Sequence, residues 1–185
     1  MIEKIRGRWK LLIRDRRGVA AIEFALILPI LVTLYFGSVE VTQAVAASRK
    51  VTLVTRTVAD LSSQVKNITA GDMNNILGAT STVAYPLGGT NLRVVVSAVT
   101  IDKDGIATVT WSATLNGTKR QDKQVVTSLI PEALRVAETQ LIWSEVEYDY
   151  TPAVGYVMTG TITLKDKLFM RPRLSDKVIY PYTGS

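Results

Sequence analysis

Three groups of carboxylates have a spacing in this chain that could do chemistry. Glu23 stands alone inside an apolar run from Val19 to Val39. A carboxylate there would seek a cationic partner, because burying it unpaired is costly. Glu145, Glu147 and Asp149 alternate, so a strand would put all three on one face, where they could hold a cation or share a proton. Asp102-Lys103-Asp104-Gly105 has the opening spacing of a calcium loop. The 185 residues include no cysteine and no histidine. Disulfide scaffolds and cysteine-based zinc or redox sites are thereby excluded, and the commonest general base is missing.

Set against their surroundings, two of the three groups read as ordinary. The aspartate loop lacks the later calcium ligands, including the terminal glutamate, and reads as a tight hairpin turn. The acidic row has no evident cationic or metal-binding partner in the sequence and reads as a solvated strand face. No nucleophile elbow, phosphate loop or metal motif is present. The expectation is a non-enzymatic protein with no cofactor and no metal. A tethered enzyme would need a wholly acidic or tyrosine-based site.

The charge distribution says where the chain sits. The formal net charge is +6. Residues 1–18 carry seven basic residues, among them Arg14, Arg16 and Arg17, against Glu3 and Asp15. The rest of the chain is nearly neutral, so a nucleic-acid partner is not expected; that would need a basic face on the folded part. The run from Val19 to Val39 is 21 residues, matching the roughly 20 needed to cross a ~30 Å hydrocarbon core as a helix. The basic cluster lies wholly on its N-terminal side, which orients the chain with its N-terminus in the cytoplasm. Arg14, Arg16 and Arg17 set that topology. The apolar run is longer than a secretory signal's, and no small-residue cleavage site follows it.

Glu23 near the cytoplasmic end of that run could snorkel to the interface. Its neighbours suggest more. Basic residues, then Gly18, then four residues, then Glu23 and Phe24 resemble the processing site of type IV prepilins. The resemblance implies cleavage between Gly18 and Val19 by a prepilin peptidase, leaving Val19 as the mature N-terminus and Glu23 as the fifth residue. It also implies that Glu23 pairs with the new amine of a neighbouring subunit during assembly.

The stretch RDRRGVAAIEFALILPILVTLYFGSVEVTQA, with Pro29, Gly37 and Glu40, resembles the N-terminal signature of TadE/TadF-like minor pseudopilins of tight-adherence (Flp) pilus systems. LIWSEVEYDYTP (Leu141 to Pro152) and FMRPRLSD (Phe169 to Asp176) are similar to later stretches of that family. The resemblance implies a minor pilus component placed as a single-pass protein of a bacterial inner membrane, its C-terminal domain periplasmic. Its partners would be the lipid bilayer, the prepilin peptidase, other pilins or pseudopilins, and the inner-membrane assembly machinery. The competing reading is an unprocessed, signal-anchored periplasmic binding module.

The elements that position these residues follow from periodicity. The expected organisation is a basic leader over 1–18, a transmembrane helix over 19–40, an extramembrane continuation over 41–67 and an exported α+β domain over 68–185. Unbroken, such a helix would be roughly 70 Å long, and Pro29 would weaken it by removing one hydrogen bond. Ala44, Ala47, Val51, Val54, Val58, Leu61 and Val65 recur at three- and four-residue steps. This seam would pack helices, against the protein's own sheet or a sister subunit. Strands are expected over Leu92 to Ile101, Ala107 to Leu115, Gln140 to Tyr150 and Tyr156 to Lys165, with a short helix near Pro131. In the second strand Ala107, Val109, Trp111, Ala113 and Leu115 alternate with polar residues, so one face should be buried. The fold class is α+β: a long N-terminal pilin-like transmembrane helix, then a small, mostly antiparallel sheet.

Overall fold

The computed structural model describes residues 18–152, 155 and 157–183. The basic leader, with Arg14, Arg16 and Arg17, lies outside the described residues. Helix α1 runs from Val19 to Ser63 without a break and contains Pro29. Proline cannot donate to the Ala25 carbonyl one turn back, and the Thr33 hydroxyl donates to the Pro29 carbonyl at 2.8 Å. The helix stops short of residue 67 because the chain finds other hydrogen-bond partners. Arg173 N–H donates to the Ser63 carbonyl at 2.9 Å, and Ile68 and Ile179 exchange backbone bonds with the flanking chain.

Helix α2, Ala70–Ala84, had no counterpart among the expected elements. Its interior is rich in Gly, Asn and Thr, all weak helix formers. Thr69 and Asp72 cap it reciprocally: the Thr69 hydroxyl accepts from Asp72 N–H, and the Asp72 carboxylate accepts from Thr69 N–H. The Thr69 hydroxyl, which also lies 2.7 Å from Asp72 Oδ2, and then the Thr69 N–H hold the Asp72 carboxyl below its ordinary value.

Four strands follow: β1 Leu92–Ile101, β2 Ala107–Leu115, β3 Gln140–Tyr150 and β4 Ile162–Met170. All neighbours pair antiparallel, in the order β2-β1-β3-β4. The architecture is α+β. Strand β4 runs from Ile162, which opposes Tyr150, to Met170, past the expected end at Lys165. Gly155 and Gly160 take positive φ in the loop before it, and the expected start at Tyr156 lies outside the described residues. Near Pro131 the chain makes only a three-residue turn, Glu132–Leu134, and Glu138 then adopts a positive φ that a helix cannot continue through.

The described residues divide into two compact units, 18–42 with 152, 155 and 157–160, and 43–151 with 161–183. The second holds the core. Val51, Val54 and Val58 of α1 and Met73 and Leu77 of α2 pack on one face of the sheet, against Leu92, Val94, Val96, Trp111 and Val146. The Trp111 indole N–H donates to the Val178 carbonyl at 2.9 Å, tying the C-terminal segment into this layer. Val99, Ile101, Ala107, Val109, Leu141 and Trp143 form a second cluster with Val126 and Ile130.

The clusters lie on opposite faces of the sheet, and β2 contributes to both because it is bulged. Ala98 opposes Trp111 but Val99 opposes Val109, so Thr110 is an extra residue. A bulge reverses the alternation. Trp111 and Ala113 therefore join the helix-facing cluster while Ala107 and Val109 join the other. The single buried face expected for β2 is corrected accordingly. Residues 123–126 cover the outer edge of β2 at Ala107 to Val109, whereas no described segment pairs with the outer edge of β4.

Candidate functional site

The first unit presents an apolar rod. From Val19 onward the helix is regular, and its most apolar 18-residue window has no buried residue among the described ones. Ile22, Leu26, Ile30, Leu34 and Tyr35 are all exposed. A soluble helix hides such side chains. By length and composition α1 fits a single-pass membrane anchor.

Gly18 immediately precedes the helix and is exposed. Val19 is its first residue, and Glu23 and Phe24 follow within the second turn, both exposed. Glu23 is thus a carboxylate on the bare surface of an apolar helix, near the end where unbonded N–H groups favour negative charge. Such a surface can associate laterally with lipid or with other helices, and Glu23 offers the one charge that could select a partner's register.

The helix-packing residues divide. Val51, Val54 and Val58 are buried in the domain's own core, Leu61 is half-buried, and Val65 lies beyond the helix end and is exposed. Ala47, Thr55, Ala59, Ser62 and Ser63 of α1 are buried as well.

A second carboxylate, Glu40, lies at the far end of the apolar run and is only 1% exposed. Its Oε2 accepts from the backbone N–H of Val157 at 3.0 Å and of Met158 at 2.7 Å. Gly37, one turn earlier, lets the loop approach: a Cβ there would lie 3.3 Å from Val157 Cγ2. The sequence held a signal for this arrangement in a charge at the end of an apolar run with glycine one turn before it. The role of Glu40 was not recognised from that.

The acidic row does have cationic partners. Glu147 accepts from Arg93 and from Lys165, Asp149 from Arg93, and Glu145 from Arg120. The Arg120 guanidinium also stacks 3.6 Å from the centroid of the Trp143 ring. Lys165, first, and Arg93 keep the Glu147 carboxyl below its ordinary value, while Asp149 is held at about 2 by Arg93 and Thr163. These partners were missed because antiparallel pairing, not sequence proximity, puts Arg93 opposite Glu147 and Lys165 beside it. A cleft of about 630 Å³ adjoins the row, lined by Arg93, Lys119, Arg120, Gln124, Glu145 and Glu147. Its charges largely neutralise one another. In the hairpin, Asp102 Oδ1 accepts from Asp104 N–H and Ile106 N–H, so this carboxylate closes the turn.

Comparison with known proteins places one similarity. Residues 18–60 match a family model described as TadE-like protein. The match spans the exposed apolar helix, Gly18, Glu23, Glu40 and the first buried turns of the domain, so this stretch is similar to TadE-like proteins. No curated protein and no solved structure matches the chain.

Proposed function

We propose that this TadE-like chain is a minor pseudopilin of a tight-adherence pilus, cut after Gly18 by a prepilin peptidase and then taken up by the pilus assembly machinery. The observation that carries the reading is the position of Gly18: exposed, and directly ahead of a helix whose unburied apolar run, Val19 to Val39, has Glu23, its fifth residue, as its single charge. Cleavage there removes a leader of +5 and leaves a free amine on Val19 at the membrane edge. The amine and Glu23 are complementary charges within an apolar environment, where each is costly alone. Pairing between neighbouring copies or with other pilins lets both be satisfied, and fixes the axial offset of adjacent helices. In this reading the leader faces the cytoplasm, α1 crosses the inner membrane once, and the sheet domain is exported.

The test is the N-terminal residue of the mature protein in cells with and without their prepilin peptidase. A start at Val19 that disappears without the peptidase is the expected result. An intact Met1 in both strains overturns the pseudopilin reading and leaves a membrane-anchored binding module.

A further inference from the structure

Glu40 and its loop partners lie where the apolar run ends. Counted from Val19, the 21-residue run closes at Val39. Gly37 is thus inside its last turn, and Val157 packs on Gly37. The backbone at Val157 and Met158 donates to Glu40, one residue past the run. The β3–β4 loop therefore touches the helix a few ångströms inside the outer limit of the hydrophobic span, at 1.5 Å of rise per residue.

The chemistry of the loop suits that depth. No residue from Thr151 to Gly160 is charged. Val157 is 48% exposed, on a helix surface where Leu34, Tyr35 and Val41 are exposed too. An apolar side chain left in water beside an apolar helix forfeits the transfer free energy available in the boundary between headgroups and acyl chains. Glu40 would be costly at that level without donors, and the two loop amides supply them.

We propose that the β3–β4 loop is a second membrane-contacting element, which lays Val157 into the outer headgroup–acyl boundary, with Glu40 as the positioning residue that holds it there. The partner is the lipid surface itself. The inference rests on reading α1 as a membrane span.

The chain has no native cysteine, so single cysteines can carry an environment-sensitive fluorophore in the full-length protein. NBD is placed at Val157→Cys, at Leu31→Cys within the span and at Asp122→Cys on the exposed surface of the sheet domain, each in lipid nanodiscs with or without nitroxide-labelled lipid. The expected result is a blue shift and quenching at positions 31 and 157, with neither at 122. Adding Glu40→Ala should weaken quenching at 157 and leave it unchanged at 31, while Glu40→Gln, which keeps an acceptor oxygen, should preserve it. Circular dichroism checks that each variant is folded. Quenching at 31 with a water-like signal at 157 overturns the loop contact and spares the span. A blue shift at 157 without quenching assigns the residue to a protein contact and overturns the lipid partner. A water-like signal at 31 removes the span and the proposal with it.

Discussion

Arg93 grips Asp149 through both terminal guanidinium nitrogens, with Nη1 at 2.6 Å from Oδ2 and Nη2 at 3.1 Å from Oδ1. The pair joins neighbouring strands β1 and β3, and Glu147 and Lys165 extend it to β4. Bidentate geometry makes this the best-formed ion pair on the sheet.

The pair should give the domain a pH-dependent margin of stability. Asp149 has its carboxyl lowered from 3.8 to about 2, chiefly by Arg93. A depressed carboxylate contributes stability that is present above its unfolded value and lost as pH falls through the folded one. Arg93→Ala should therefore lower the unfolding midpoint at neutral pH, with the gap from the parent closing between about pH 4 and pH 2. A gap that persists at pH 2 would mean that Arg93 acts through packing alone. Thermal unfolding across that range separates the two.

Burial predicts a sharp contrast between two apolar residues close in sequence. Met73 is 1% exposed in the helix-facing core, whereas Val65 is 36% exposed beyond the end of α1. Met73→Ala should cost about 2–5 kcal/mol, and Val65→Ala should stay within about 0.5 kcal/mol. Denaturant unfolding of the detergent-solubilised chain measures both. Equal losses would show that Val65 is covered in solution.

Glu23 tests the assembly reading without touching the fold. Glu23→Val should insert into the membrane as the parent does, since it only makes the run more apolar. It should fail to co-purify with other pilins, because an ammonium left buried without its partner costs about 3–5 kcal/mol. Pull-down from membranes with matched expression reads the outcome, and undiminished co-purification would refute a pairing role.

Strands β1, β2 and β3 were legible to the residue, because alternation and β-branched runs are local signals. The bulge at Thr110 was not, since it shows only in how β2 pairs with β1. Helix α2 was hidden by Gly71, Gly78 and two asparagines, although the Thr69–Asp72 capping box was readable. In the candidate site, Gly18 and Glu23 could be found because each stands out against its neighbours. Glu40's partners lie more than a hundred residues away, and the cations facing Glu145, Glu147 and Asp149 come from other strands or loops. Long-range pairing of this kind leaves no local trace.

Among the described residues nothing pairs with the outer edge of β4, which has a consequence for a chain whose apolar helix fits a membrane anchor. Unpaired strand edges invite sheet-to-sheet aggregation. The centre of β4 reads Lys165-Asp166-Lys167. Two copies joining antiparallel about Asp166 would set lysine against lysine and aspartate against aspartate, which cross-strand electrostatics disfavours. Identical copies are thus steered away from that symmetric register of edge-to-edge pairing.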